Sequence, residues 1–168
     1  MKPHSGTAKR ACARRPRVGD CFEIPLPDGR RAYGQYIRDE TNDPTSHGCL
    51  VRVFDIVRKQ PAILEELRRV GLLFPPVYVG LWASIGSGRW KVIGSFPVPE
   101  DFTYPLFRYS HHTTPGVYDD WQIWDGREWH KIGKLPEHCR NLEILCVWSD
   151  VLLEERIMTG YTIQQDIL

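Results

Sequence analysis

Val77 to Gly94 reads VYVGLWASIGSGRWKVIG, and the reading of this stretch decides how the rest of the chain can be arranged. Two apolar runs, rich in β-branched and aromatic residues, flank a short glycine-bearing connection, which is the pattern of a β-hairpin. With Ile85 opposite Arg89, Trp82 faces Val92 on one side and Leu81 meets Ile93 on the other. Both faces of the first run are apolar: Val77, Val79, Leu81 and Ala83 on one, Tyr78 and Trp82 on the other. A strand with two dry faces belongs inside a sheet. The hairpin is therefore expected at the sheet's centre. Nothing in it is chemically reactive.

Upstream, Phe22, Ile24 and Leu26 alternate with Cys21, Glu23 and Pro25, and Asp28-Gly29 supplies a two-residue turn into a strand through Tyr33 and Tyr36. Pro25 cannot donate to a ladder, so its strand should lie at an edge or turn that position to solvent. Gly34 suggests a bulge or a close approach by another segment. After a polar loop (Asp39 to Gly48), Cys49 to Val57 reads as a strand. Pro61 to Val70 reads as a helix: Pro61 suits the first helical position, Ile63, Leu64, Leu67 and Val70 share one face, and Gly71 ends it. Downstream come a proline-punctuated link, a short strand over Leu106 to Tyr109, and a second hairpin formed by Asp119 to Asp125 and Glu128 to Ile132 about Gly126. A strand over Leu142 to Trp148 follows, then a helix over Asp150 to Met158, capped by Ser149 or Asp150 and ended by Gly160. These elements predict an α+β fold, a twisted, mostly antiparallel β-sheet with one or two packed helices. The expected organisation is a basic disordered tail over residues 1–17, a single α+β domain over 18–160 and a C-terminal tail over 161–168.

The 168 residues suit one domain, and a 42% apolar fraction with six tryptophans suffices for a core without metals or disulfides. Residues 1–17 hold six Lys/Arg and no acid, which leaves 16 basic against 21 acidic residues beyond them, a balance of −5. Such a basic arm could gain affinity for nucleic acid by counterion release, although it lacks interleaved aromatics. The five cysteines form no CxxC pair and fit buried small hydrophobes in a reducing cytosol. No apolar leader or membrane-length run occurs, so a cytoplasmic location is expected.

A search for reactive groups finds little. Gly86-Ser87-Gly88 is explained by turn chemistry, and its glycines run into a strand where a phosphate loop needs a helix. His111-His112 and His138-Cys139 are adjacent pairs that would point apart, and His130 is isolated, so no metal or other cofactor is expected. Asp119, Asp120, Asp125 and Glu128 cluster around Trp121, Trp124 and Trp129. Three readings of this cluster stay open. The tryptophans could alternate into the core while the acids face water; the group could form a partner-binding face with aromatic anchors and steering acids; or two acids could act as a general acid–base pair on a sugar.

Three groups of residues carry a family resemblance. Gly19-Asp20 with Phe22, Ile24-Pro25-Leu26, Asp28-Gly29 and Tyr33-Gly34-Gln35 resembles the opening of the immunity protein 26 family. Gly88-Arg89-Trp90-Lys91-Val92-Ile93-Gly94 is similar to its tryptophan and Ile-Gly motif, and Val147-Trp148 with Glu155-Arg156-Ile157 is similar to its close. The resemblance spans about residues 18–158. It implies a cytoplasmic bacterial protein, not an enzyme, that neutralises a cognate toxin by covering or distorting its active site. The matched Gly19, Phe22, Gly29, Trp90, Ile93 and Gly94 read as structural. The mildly acidic body suits a basic toxin such as a nuclease.

Overall fold

The computed structural model describes residues 14–41, 48–111 and 119–160. Residues 1–13 of the basic tail and all of 161–168 lie outside the described residues. Of the tail, residues 14–17 are placed: Arg14 pairs with the buried Asp20 at 2.7 Å, the Arg17 amide donates to the same carboxylate at 2.8 Å, and the Arg15 guanidinium lies 3.6 Å over the Trp82 ring.

Ten strands form two mostly antiparallel sheets. The larger contains β1 (Asp20–Pro25), β2 (Arg31–Asp39), β3 (Cys49–Val53), β4 (Val77–Val79), β5 (Lys91–Ser95) and β10 (Val147–Trp148), in the order β10-β4-β3-β2-β1-β5. The smaller contains β6 (Phe107–Tyr109), β7 (Trp121–Trp124), β8 (Trp129–Gly133) and β9 (Glu143–Ile144), in the order β8-β7-β6-β9. Among the described residues, only β10–β4 and β6–β9 pair in parallel. Three helices, α1 (Leu64–Leu67), α2 (Leu81–Gly86) and α3 (Asp150–Thr159), complete the α+β fold.

Alternation along the large sheet sends residues into different cores, as the two-residue period of a strand requires. Phe22, Ile24, Val51, Val53, Val77 and Val79 pack with Leu81, Ile85, Trp90, Leu153 and Ile157, under α2 and α3. From the opposite face, Ile37, Leu50 and Tyr78 meet Phe107 and Trp124 of the small sheet and Leu145 just after β9. On that face Cys21, Tyr33 and Phe54 pack with Leu67 and Phe96 near α1. Both faces of the sheet thus carry a core.

The first hairpin forms as its sequence predicts, with Gly29 at φ 82° in the turn. Pro25 is exposed and lies beyond the β1–β5 ladder, where its missing N–H costs nothing. Gly34 allows a close approach: a Cβ there would sit 2.6 Å from the Phe22 ring and 3.2 Å from the Arg52 carbonyl oxygen. Phe22 cannot easily yield, because it stacks on Trp90 at 5.5 Å between centroids.

The hairpin expected over 77–94 does not form. β4 is dry on both faces, yet it lies second from one edge, and β5 pairs with β1 at the opposite edge. Between them Leu81–Gly86 is helical. The Gly80 carbonyl accepts the Ala83 and Ser84 amides at 3.2 and 3.3 Å, and Leu81 and Ile85, one helical turn apart, enter the same core. The period that wins here is 3.6, not 2. The helix expected over 61–70 shortens to Leu64–Leu67. Ile63 is exposed as its N-cap and does not line an apolar face; its amide donates to Glu66 at 2.9 Å, which closes the first turn. The strand expected over 142–148 splits into β9 and β10, which belong to different sheets. Leu145 faces the core between the sheets and its amide donates to the Arg108 carbonyl at 2.9 Å, while Cys146 packs toward the α3 core. The final helix agrees with its sequence signals: Ser149 Oγ accepts the Leu152 amide, and Gly160 closes the helix in the left-handed region at φ 71°.

Contacts to two buried carboxylates, Glu154 and Glu143, tie α3 to this framework. Glu154 accepts the Trp90 indole N–H at 2.9 Å and Arg89 Nε at 2.8 Å. Arg156 makes a two-pronged pair with Glu143 at 3.0 and 2.6 Å, with its guanidinium 4.0 Å over Phe74 and 4.9 Å over Trp148.

Candidate functional site

The acidic and aromatic cluster occupies the β7–β8 hairpin, which pairs Ile123 with His130 and Trp124 with Trp129. Its turn, residues 125–128, is held by Asp125. One carboxylate oxygen accepts the amides of Arg127 and Glu128 at 2.8 and 2.9 Å, the local bonding that favours aspartate at turns. Gly126 takes φ 90°, and a Cβ on it would lie 2.6 Å from the Tyr104 ring. Its carbonyl accepts Arg38 from β2 at 3.1 Å, and Arg38 also pairs with Glu40 at 2.7 Å. Below the hairpin, the Trp124 indole donates to the Tyr104 hydroxyl at 2.9 Å, which bonds to Tyr78, which in turn donates to Glu40. The tip is therefore fixed to the large sheet by polar contacts, not left as a loose loop.

The cluster divides by depth. Trp121 and Trp124 are 4% and 5% exposed, so both serve the packing beneath the hairpin. Trp129 is half-buried, 5.2 Å from Trp124 and 5.6 Å from Tyr109 between ring centroids. Asp119 and Glu128 are exposed, and Asp125 is half-buried at the turn. Asp120 is half-buried and accepts the Ser110 hydroxyl, with the His111 amide at 3.3 Å. The surface thus presents Asp119, Asp125, Glu128 and the edge of Trp129.

His130, isolated in sequence, comes to lie 2.7 Å from the second oxygen of Asp125. Cross-strand pairing across a four-residue turn brings them together, and that consequence of the expected hairpin was available from the spacing alone. The bonds from the Glu128 amide, from His130 and from the Arg127 amide hold the Asp125 carboxyl down to about 2. The same contact raises the His130 pKa above its ordinary value. A carboxyl so acidic carries no proton to donate near neutrality and is a feeble base, which speaks against a general acid–base role. Asp125, Glu128 and His130 could each offer one ligand atom to a metal, with those atoms all within 4.8 Å of one another. Asp125 already spends its oxygens on the turn amides and on His130.

A titration tests this geometry. The His130 ring should protonate above the ordinary histidine range, and Asp125→Asn should return it there. Sign follows from the shifts. The raised His130 contributes stability at pH below its unfolded value, lost as pH rises through the folded one; the depressed Asp125 contributes above its unfolded value, lost as pH falls toward about 2. An imidazole NMR titration unmoved by Asp125→Asn would contradict the pairing.

Among the described residues no helix is long and apolar enough to cross a membrane. No curated protein and no solved structure matches the chain. The model of one family, Immunity protein 26, matches residues 17–115. This match begins just before β1 and covers β1 to β6 with the helices α1 and α2 between them. It spans more than half of the sequence, and on that ground the chain belongs to the immunity protein 26 family.

Proposed function

We propose that this protein neutralises a cognate bacterial toxin in the cytoplasm by binding the toxin domain and occluding it. Family membership implies a toxin partner and a generally non-enzymatic role. The particular surface is our own assignment: the tip of the β7–β8 hairpin, with Asp119, Asp125, Glu128 and Trp129 in contact and Asp120, Trp121 and Trp124 supporting them from behind.

One observation carries the choice of surface. The hairpin is a partly aromatic element that lies beyond the family-matched 17–115 segment while being anchored to it through Arg38 and Tyr104. Members that meet different toxins need a common framework and a distinct contact region. A half-buried tryptophan on a hairpin that also carries Asp119, Asp125 and Glu128 supplies anchor area with little rotamer entropy to lose and a local negative charge that favours a basic partner.

The test uses toxin domains encoded beside genes of this family. Trp129→Ala should weaken the complex by about 2 kcal/mol, roughly 30-fold, and Asp125→Asn with Glu128→Gln should mainly slow association and flatten its salt dependence. Variants that bind and protect cells as well as the parent protein would move the interface elsewhere. Failure of the parent protein to bind any such toxin would defeat the wider reading.

A further inference from the structure

Near α1, on the sheet face away from α2 and α3, a recess of about 280 Å³ is lined by Arg52, Arg68, Phe54, Phe96, Pro97 and Pro99. Its walls are held by one residue. Gln35, fully buried in β2, donates to the Phe96 carbonyl at 2.7 Å and the Gly19 carbonyl at 3.1 Å, and accepts Arg52 Nε at 2.9 Å. Every amide valence useful for orientation is engaged, so Gln35 fixes the Arg52 fork and the Phe96–Pro97 wall together. Among the described residues no carboxylate pairs with Arg52; its guanidinium instead lies 5.1 Å over Phe54 and 6.0 Å over Phe96. Arg68 reaches the same Phe96 ring at 5.1 Å, and its contact with Glu65 is loose, 3.8 Å between two exposed groups.

Two guanidinium groups therefore share one aromatic wall. Ring faces attract cations but do not neutralise them, so the rings beneath Arg52 leave its charge unbalanced. Burial lowers the Arg52 pKa, the direction expected of a cation short of compensating charge. An anion between the two would relieve this. Guanidinium suits planar or tetrahedral oxyanions because its parallel N–H groups can bind two oxygens at once.

We propose that this recess binds an oxyanion, carboxylate or phosphate, carried on a small, partly apolar group. The oxygens bridge Arg52 and Arg68, and the apolar part rests on Phe96, Pro97 and Pro99. The site does not include the β7–β8 hairpin and does not depend on the toxin-binding reading. Its ligand comes either free in solution or as an acidic side chain presented by a partner protein.

The experiment titrates the full-length protein with phenyl phosphate and, separately, with N-acetyl-glutamate amide, following the arginine Nε–Hε and Phe96 amide signals. Saturable shifts confined to Arg52, Arg68 and Phe96 are expected with at least one probe. Phenyl phosphate alone indicates a free phosphorylated ligand, whereas the glutamate mimic indicates a partner's side chain. Arg68→Gln, an exposed change that leaves the fold intact, should weaken binding about tenfold, the scale of one charge-assisted hydrogen bond. Arg52→Lys, which keeps the charge but loses the fork, should weaken it too. Absence of a saturable shift with either probe overturns the proposal, as does binding that neither substitution alters.

Discussion

Glu143→Gln is expected to lower the unfolding free energy by about 3–5 kcal/mol, the cost of breaking a buried ion pair from one side. That is a large part of the roughly 5–15 kcal/mol that stabilises an ordinary domain. Glu143 is the carboxylate for two buried cations. Arg156 binds it through both terminal nitrogens, and Arg108, one strand away on β6, faces the same charge. Arg108 is 1% exposed, and its Nε and one terminal nitrogen have no hydrogen-bond partner among the described residues; Trp121 covers it at 5.4 Å. Removing the negative charge strands both cations in a dry place. Arg156→Met should cost less, because the carboxylate left behind still faces Arg108. Urea denaturation of the two variants checks the order. A loss below about 1 kcal/mol for Glu143→Gln, or the reverse order, would show that the pair does not carry the α3–small sheet contact.

The second large effect is expected at Glu154. It is 2% exposed and serves the Trp90 indole and the Arg89 side chain together. Glu154→Leu leaves a buried indole N–H without an acceptor, at about 1–3 kcal/mol, and loses the charge-assisted bonds as well, so a total of about 3 kcal/mol is expected. The Arg89 contribution is discounted because that side chain is 42% exposed and screened by solvent. Glu154→Gln keeps an acceptor and should cost less than half as much. A double-mutant cycle with Trp90→Phe isolates the indole bond: coupling of about 1 kcal/mol is expected, and additivity within a few tenths would mean that the two residues act independently.

These pairs explain why the sequence motifs read as structural. Trp90 stacks on Phe22 and bonds to α3, while Arg156 spans Phe74, Trp148 and Glu143. Phe22, Trp90, Trp148 and Ile157, from the start, middle and end of the chain, thus meet in one core, while Tyr33 and Ile93 enter the core near α1. Neither pair was legible beforehand. An Arg or Glu on a short amphipathic helix reads as a wet residue, and only the burial of that face shows otherwise.

Local chemistry decided much without help from distant residues. Asp28-Gly29 and Asp125-Gly126 specify their turns because aspartate bonds its own backbone and glycine accepts positive φ. Ser149 and Gly160 bound α3 for equally local reasons. The α+β class followed from these elements, and the acid–tryptophan cluster was recognisable as one unit because a hairpin brings together residues close in sequence.

Tertiary structure decided the pairings that local pattern leaves degenerate. Leu81 to Ile85 is apolar at both strand and helix spacing, and the core beneath α2 selects the helix. Val77–Val79 and Lys91–Ser95 are both credible strands, but their places at opposite sides of one sheet depend on β1 and β3. The Leu142–Trp148 run serves two sheets because Leu145 and Cys146 find different cores. Likewise Trp121 and Trp124 look no different from Trp129 in sequence; depth alone, set by the facing sheet, makes them supports and leaves Trp129 at the surface. Backbone turns are settled by neighbours in the chain, whereas burial and charge partnership depend on what the rest of the fold brings against a side chain.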